Sequence, residues 1–375
     1  YKLLDNGKSI GVINFFNNEI IATFKFEGRQ YEIAKHKGSY ILFEASNSIN
    51  TSNFSCAVDE EFSNNISPQI ESSSSVVTPV CIELAIEVDH YTRNTFSSNL
   101  ETTNWALAII AGVSQIYDSE TNTAVVVVYS YIWNTIDPYA AWVSQSSAML
   151  SELASYWTTN NGAVTRDLVH LMTKRSNTGT GGIAYVDVLC DNSWGYGFSS
   201  NLDNDTTYNF PTPSYTWNLV CIAHEIGHNY GSKHTHWCGW AADPSIPFPG
   251  GVIDNCVDVE GSCSNNPTPQ VGTIMSYCDI VLGGSIVLDF HEIVVSQALD
   301  PGIANATCLT ACDYFGCTDT SAFNYDPNVT IDDGSCIPKI YGCIDGGPTD
   351  FTLVPGGKFF IPGSSLLNAG GQLCL

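Results

Sequence analysis

The first sixty residues alternate apolar and polar positions in short runs separated by Asn, Gly and Lys turn signals. A period of two is typical of strands with one buried face. The pattern predicts a small β-rich unit over residues 1–63, with strands at Ile10–Phe16, Ile20–Phe26 and Tyr40–Glu44. Residues 64–79 are polar and Ser-rich and have no helical periodicity, which predicts a linker and a processing site.

Longer strands and helices alternate from Cys81 onward. Strands separated by amphipathic helices are typical of an α/β fold around a largely parallel sheet. The predicted strands are Ile82–Val88, Ala124–Trp133, Asp167–Thr173 and Gly182–Leu189, and the predicted helices are Trp105–Tyr117, Trp142–Trp157, Trp217–Tyr230 and Phe290–Leu299. We expect Pro301 to close the last helix. This α/β unit spans residues 80–312.

Residues 313–375 have a third kind of composition, rich in Cys, Asp and Gly. Gly316-Cys317-Thr318-Asp319 opens a unit that ends at Cys336, and Tyr341-Gly342-Cys343 starts a related one. We predict an acidic repeat closed by a Cys317–Cys336 disulfide. The repeat has no cluster of His or Lys, so we expect it to serve as a stalk or surface attachment, with further repeats beyond Leu375.

Composition narrows the class of protein. The chain has 375 residues, which exceeds the size of one hydrophobic core and predicts several folded units. Its net charge of -25 would repel phosphate backbones, so nucleic acid is not an expected partner. No apolar run is long enough to cross a bilayer. Fourteen cysteines favour an oxidising compartment, so we expect a secreted or cell-surface protein, whose start has been trimmed before Tyr1.

The most informative residues lie on the third predicted helix of the α/β unit and just beyond it. Residues 224–234 read HEIGHNYGSKH and fit the pattern HExxHxxGxxH at every fixed position. His224 and His228 are four apart, so both imidazoles project from one helix face and can bind one metal ion. Gly231 can turn the chain so that His234 returns as third ligand. His236 is an alternative third ligand.

Three imidazoles leave a fourth position on zinc for water, as in catalytic rather than structural sites. Zinc lowers the pKa of such a water toward about 7. Glu225 is adjacent and can take the water proton during attack on a peptide carbonyl and pass it to the leaving amine. The motif predicts metal-assisted amide hydrolysis. A surface helix that happens to carry histidines, or a structural metal clamp, is the alternative interpretation.

Thr273-Ile274-Met275-Ser276-Tyr277 follows about forty residues after His234, and the combination resembles the metzincin zinc peptidases. Met275 matches the methionine beneath the metal in their Met-turn. The sequence segments 82–89, 181–186 and 224–229 resemble those of the reprolysin or adamalysin branch in its secreted bacterial form. The resemblance extends over about residues 81–308. The resemblance implies a strand at Gly182–Leu189 that is the antiparallel edge of the sheet and pairs with an extended peptide substrate.

The resemblance also implies roles for residues outside the zinc motif. Met275-Ser276-Tyr277 has the spacing of astacins and serralysins, which implies that Tyr277 stabilises the transition state, although packing the turn is the alternative. Reprolysin-like precursors resemble this chain in having a β-rich propeptide before the catalytic unit, which implies that the enzyme is latent and that the Cys56 thiolate occupies the open zinc position. A disulfide bond of Cys56 is an equally weighted alternative. Glu83 and Asp167 resemble calcium ligands of some adamalysins, and solvated or salt-bridge roles are the alternative.

Cysteine spacing yields further expectations. The insertion between Cys238 and Cys278 lacks a zinc pattern, so we expect a stapled loop with local pairing among Cys238, Cys256, Cys263 and Cys278. We expect Cys190 to pair with Cys308 or Cys312. Cys221, one turn before His224, is predicted to be a buried free thiol.

These observations together predict a secreted, monomeric zinc endopeptidase with an inhibitory N-terminal segment and a protein or peptide substrate. One alternative is an astacin-like or serralysin-like peptidase that uses a tyrosine switch. A second alternative is a non-catalytic adhesion module stabilised by zinc, against which Glu225 speaks, because a structural site needs no base.

Overall fold

The computed structural model describes residues 2–5, 8–16, 19–27, 29–36, 39–45, 57–58, 80–202, 215–241, 251–263, 271–281, 284–312, 315–322, 325, 329–332, 334 and 336–337. The chain divides into two compact units, residues 1–311 and 312–375. In the described part, no helix combines the length and apolar character needed to span a membrane.

An antiparallel meander of five strands begins the first unit. The strands are β1 (Lys2–Asp5), β2 (Lys8–Phe16), β3 (Glu19–Phe26), β4 (Arg29–His36) and β5 (Ser39–Glu44), and they pair in sequence order. Alternation predicted β2, β3 and β5. It missed β1 and β4, and charged residues at both ends of β4 obscure its period. Ile21 of β3 belongs to the main hydrophobic core of the first unit, which places this sheet against the α/β fold.

The α/β fold contains the elements that position the site. In chain order they are β6 (Ala57–Val58), β7 (Val80–Val88), α1 (His90–Arg93), α2 (Asn99–Thr121), β8 (Thr123–Ile132), α3 (Ser146–Asn160), β9 (Leu168–Met172), β10 (Gly182–Ala184), β11 (Tyr196–Ser199) and α4 (Tyr215–Asn229). The chain continues with β12 (Val271–Gly272), β13 (Ser285–Ile286), α5 (Glu292–Val294), α6 (Asp300–Asn305) and β14 (Thr310–Ala311).

The central sheet is mixed and mostly parallel, as the sequence predicts. β7 pairs in parallel with β8 and β9, β9 pairs in parallel with β11, and β10 is antiparallel to β11. β6 adds to the outer side of β10 in parallel, and β14 pairs antiparallel with the start of β7. The antiparallel strand near the edge is therefore confirmed.

Helices cover both faces of this sheet. Ile82, Leu84 and Ile86 point to one face, where they pack with α2 and α4 in one buried cluster. Ala85 points to the other face, where it packs with Leu153 and other residues of α3 in a second cluster. Alternate residues of β7 thus serve two cores, which explains why its sequence reads as a nearly continuous apolar run.

Several predicted boundaries were wrong. The helix predicted at Trp105–Tyr117 extends over Asn99–Thr121. The strand predicted at Gly182–Leu189 ends at Ala184, because the chain turns there and Asp187 N–H and Val188 N–H donate to carbonyls at the end of α4. The helix predicted from Trp142 begins at Ser146, after a 3₁₀ turn at Pro138–Trp142.

Pro301 does not close the last helix. A π-helical turn at Val295–Leu299 precedes it, and Pro301 lies in the first turn of α6. Proline is tolerated in a first turn, because α6 does not need a backbone N–H donor at that position. The helical path therefore continues to Asn305.

The second unit contributes two short parallel strands, β15 (Phe315–Gly316) and β16 (Ile331–Asp332). The predicted Cys317–Cys336 disulfide is present beside them.

Candidate metal centre

Helix α4, which packs against β10 and β11, carries His224, Glu225 and His228. The helix ends at Asn229, and Gly231 takes the left-handed backbone conformation, with φ of 108°, that turns the chain back. His234 follows this turn. The ring nitrogens of His224, His228 and His234 lie within 4.8 Å of one another, and all three side chains are buried.

Hydrogen bonds aim these rings. His224 Nδ1 donates to Ile274 O at 2.7 Å, and His228 Nδ1 donates to Ser232 O at 2.8 Å. Carbonyl oxygens only accept, so the proton of each ring is on Nδ1 and the Nε2 lone pair faces the cluster. The Nε2 atoms of His224 and His228 are buried and have no hydrogen-bond partner among the described residues. Convergent lone pairs without a donor fit a zinc ion.

Burial keeps these imidazoles neutral, which is the form that binds a metal. Desolvation, followed by the neighbouring His234, lowers the pKa of His224 to about 3. Desolvation likewise lowers the pKa of His228 far below its usual value, with His224 as the next cause. The pKa of His234 is lowered by burial too.

His234 is held by an acidic side chain. Its Nδ1 lies 2.6 Å from Glu260 Oε1, and His236 Nε2 lies 3.2 Å from the same oxygen. Burial acts to raise the pKa of Glu260, but the hydrogen bonds from both histidines outweigh it and hold the pKa well below its usual value. His236 therefore faces Glu260 and is outside the cluster of three, in which His234 is the third member. Sequence reasoning missed Glu260, and its position as an acid inside the Cys-rich insertion is the only signal.

Glu225 is fully buried beside the sheet. A Cβ added to Gly182 at the start of β10 would lie 2.2 Å from Glu225 Oε1. Strand β10 thus passes directly over this carboxylate, at a distance that only glycine permits without a shift.

Met275 packs against helix α4, and Tyr277 lies beside the histidines. Met275 is fully buried, and its Sδ would lie 2.9 Å from a Cβ at Gly227 of α4. Tyr277 Oη lies 3.0 Å from His234 Nε2, and the Tyr277 ring stacks on His224. The hydroxyl is therefore next to the atom that His234 offers to a metal.

A narrow, partly open pocket lies beside His224. It is lined by Trp217, Val220, Cys221, His224, Ser276, Tyr277, Asp279 and Ile286. Cys221 is a free, buried thiol, as predicted. Burial, followed by the charges of Glu225 and Asp279, raises its pKa far above the usual value, which makes it an inert lining group.

The predicted pairings of cysteines within the described residues are confirmed. Cys238 pairs with Cys263 and Cys256 with Cys278, so the insertion is stapled twice. Cys190 pairs with Cys308. Cys81 and Cys312 are also disulfide-bonded.

Two predicted groups of residues do not join the centre. Cys56 lies outside the described residues, although Ala57 and Val58 after it pair with β10. Asp167 Oδ2 accepts from the Glu83 N–H at 2.8 Å. Within the described ranges, neither Glu83 nor Asp167 belongs to a cluster of three or more candidate metal ligands, so the calcium prediction has no support.

A mixed sheet whose antiparallel strand passes close to a buried glutamate, together with three convergent imidazoles, is typical of a metal-dependent hydrolase. The chain belongs to metallo-peptidase family M12, because residues 78–280, more than half of its length, match the family model Reprolysin_5. Membership implies zinc, for which the three histidines are suitable ligands. The protein is a zinc metalloendopeptidase.

Solved structures with a distant likeness accompany this assignment. One is described as "Crystal Structure of metalloproteinase-II from Bacteroides fragilis", with 14% identity, a TM-score of 0.36, and coverage of 62% of this chain and 70% of that chain. Another is described as "Structure of a chaperone-substrate complex", with 12% identity, a TM-score of 0.31, and coverage of 57% of this chain and 31% of that chain. These scores are too low to add to the family assignment.

Proposed function

We propose that this chain is a secreted endopeptidase in which His224, His228 and His234 hold one zinc ion and Glu225 is the general base. The observation that carries the proposal is the pair of buried Nε2 atoms of His224 and His228, which have no hydrogen-bond partner among the described residues and belong to the helix that also carries the buried Glu225. The described residues contain four disulfides, and Cys81 and Cys312 are disulfide-bonded as well. So many disulfides are typical of an oxidising compartment, which supports secretion.

A peptide substrate would bind as an extended strand on the outer side of β10, in the position that β6 occupies. Main-chain hydrogen bonds would then hold the scissile carbonyl above the histidines. The pocket beside His224 would receive a side chain next to the scissile bond. Monomeric protein suffices for this arrangement, because all the residues it uses come from one chain.

Zinc, when bound, makes a water molecule acidic and polarises the scissile carbonyl. Glu225 would accept the proton of the attacking water and deliver it to the departing amine nitrogen, so that a carboxylate and an amine are released. Burial excludes other water from the carboxylate. Tyr277 would donate a hydrogen bond from its hydroxyl to the oxygen that gains negative charge, because its Oη lies beside His234 Nε2.

Glu225→Gln tests the assignment of the base. The variant should retain zinc, measured by elemental mass spectrometry, and should lose about 10²–10⁴-fold in casein or peptide hydrolysis. Glu120→Gln, the same chemical change on α2, is the matched control and should keep full activity. Hydrolysis that survives in Glu225→Gln would refute the role of Glu225.

We further propose that residues 1–63 form a propeptide, that residues 64–79 contain the processing site, that residues 80–312 are the catalytic domain, and that residues 313–375 are an attachment repeat. β6 supports latency, because it pairs in parallel with β10 where substrate would bind. Cys56 immediately precedes β6, and a thiolate there would close the open zinc position.

Cys56→Ala tests the latency proposal. In the full chain this variant should hydrolyse a peptide without prior proteolysis, whereas the parent and a Ser55→Ala control should not. If Cys56→Ala is as silent as the parent, while proteolytic removal of residues 1–79 yields activity, then Cys56 is not the inhibitory group.

A further inference from the structure

We propose that Glu260 is a positioning residue for the metal centre, which orients His234 through its Nδ1 and thereby tightens zinc binding. The inference rests on the proposed zinc site. It assigns a role to the disulfide-stapled insertion between Cys238 and Cys278, which carries Glu260.

The Nδ1 atom of His234 has a side-chain partner, whereas those of His224 and His228 have backbone partners. Those two rings stand on α4 and donate to backbone carbonyls at 2.7 and 2.8 Å. His234 stands beyond the Gly231 turn, outside the helix, and its Nδ1 meets a carboxylate at 2.6 Å instead. The Glu260 oxygen is thus the group that sets the ring orientation of the third ligand.

Glu260 is itself held on both sides. Its N–H donates to His236 O at 2.9 Å, and its C=O accepts from Cys238 N–H at 2.8 Å. The Cys238–Cys263 disulfide closes this short parallel pairing. His236 donates to the same carboxylate oxygen at 3.2 Å, and its ring stacks on that of His234 with centroids 4.9 Å apart. The carboxylate therefore has little freedom to leave His234.

The chemical consequence follows from the hydrogen bond. A carboxylate that accepts the Nδ1 proton fixes the tautomer, so that the Nε2 lone pair is free for the metal, and it increases the basicity of the ring. Removal of such a partner costs about 10–100-fold in metal affinity.

His234, His236 and Glu260 together offer three ligand atoms, so a second metal ion is the competing interpretation. The distances argue against it. Ligands about 2 Å from a tetrahedral zinc ion lie more than about 3 Å from each other. The 2.6 Å separation between His234 Nδ1 and Glu260 Oε1 is that of a charge-assisted hydrogen bond.

The experiment measures zinc affinity and stoichiometry in the full chain by competition with a fluorescent chelator. Glu260→Ala should weaken zinc binding about 10–100-fold, and Glu260→Gln, whose uncharged amide oxygen can still accept the hydrogen bond from His234, should have an intermediate effect. Asp258→Asn, an exposed acid in the same insertion, is the matched control and should bind zinc as the parent does.

Thermal unfolding of each zinc-free variant separates positioning from folding. If Glu260 positions His234, zinc-free Glu260→Gln should unfold at the same temperature as the zinc-free parent, while its zinc affinity should be lower than that of the parent. Equal zinc affinity in parent, Glu260→Gln and Glu260→Ala would overturn this inference and leave the proposed function intact. Two zinc ions in the parent and one in Glu260→Ala would also overturn it, since Glu260 would then be a ligand. A parent that binds no zinc would refute the proposed function and this inference together.

Discussion

Replacement of Gly182 by alanine tests the close contact between strand β10 and Glu225. The backbone of Gly182 lies outside the left-handed region, so alanine adds no conformational strain of its own. The new Cβ would lie 2.2 Å from Oε1, 2.6 Å from Cδ and 2.7 Å from Cγ of Glu225. Ordinary contacts begin at 3.4 Å, so the carboxylate and the strand must separate by about 1 Å.

The size of the effect follows from this displacement. Overpacking of a buried site costs about 1–3 kcal/mol of unfolding free energy. A shift of about 1 Å in a catalytic group costs about 10²-fold in turnover. We therefore expect Gly182→Ala to keep its zinc, to unfold more easily in denaturant, and to hydrolyse peptides about 10²-fold more slowly than an identically treated parent.

The decisive assay is a double-mutant cycle with Glu225→Ala, which removes all three atoms that meet the new Cβ. In the Glu225→Ala background, Gly182→Ala should hardly lower the free energy of unfolding. It can even raise that free energy by about 0.4–1 kcal/mol, because alanine reduces the conformational entropy of the unfolded chain. Gly197→Ala, whose Cβ would meet Ala184, is the control and should cost the same in both backgrounds. Equal costs of Gly182→Ala with and without Glu225 would refute the contact.

Three other changes have expected outcomes. Tyr277→Phe should keep zinc and lose about 10²–10³-fold in kcat; a loss below threefold would assign Tyr277 to packing alone. Burial, followed by the Asp289 charge, raises the pKa of Glu120 to about 7, so stability falls as pH rises from 4.5 through 7. Glu120→Gln should therefore raise the unfolding free energy by about 1–2 kcal/mol at pH 8 and leave it unchanged at pH 4, after allowance for solvent screening; equal stability of the two proteins at pH 8 would contradict this. Burial raises the pKa of Asp279 to about 6, so this pocket-lining carboxylate is charged at pH 8. Asp279→Asn should reduce cleavage before Lys or Arg relative to cleavage before Leu in a peptide-library profile, and an unchanged profile would exclude Asp279 from substrate selection.

Short-range patterns made part of the site predictable. The spacing of His224 and His228 is a property of one helix, and Gly231 is needed where that helix ends. The pairs Cys238–Cys263 and Cys256–Cys278 are local, although spacing alone left their connectivity open. Strand β11 was missed because its four residues are all buried and include a glycine, so no alternation marks it.

The sequence by itself determined the α/β class, the metal-binding helix and the chemistry of its side chains, because each depends on residues within a few turns of one another. Only the tertiary structure decided that Glu260 would contact His234, that Gly182 would lie over Glu225, and that β10 would end at Ala184. Such contacts join residues tens of positions apart, and they arise from how whole elements pack and from which buried polar groups must find partners.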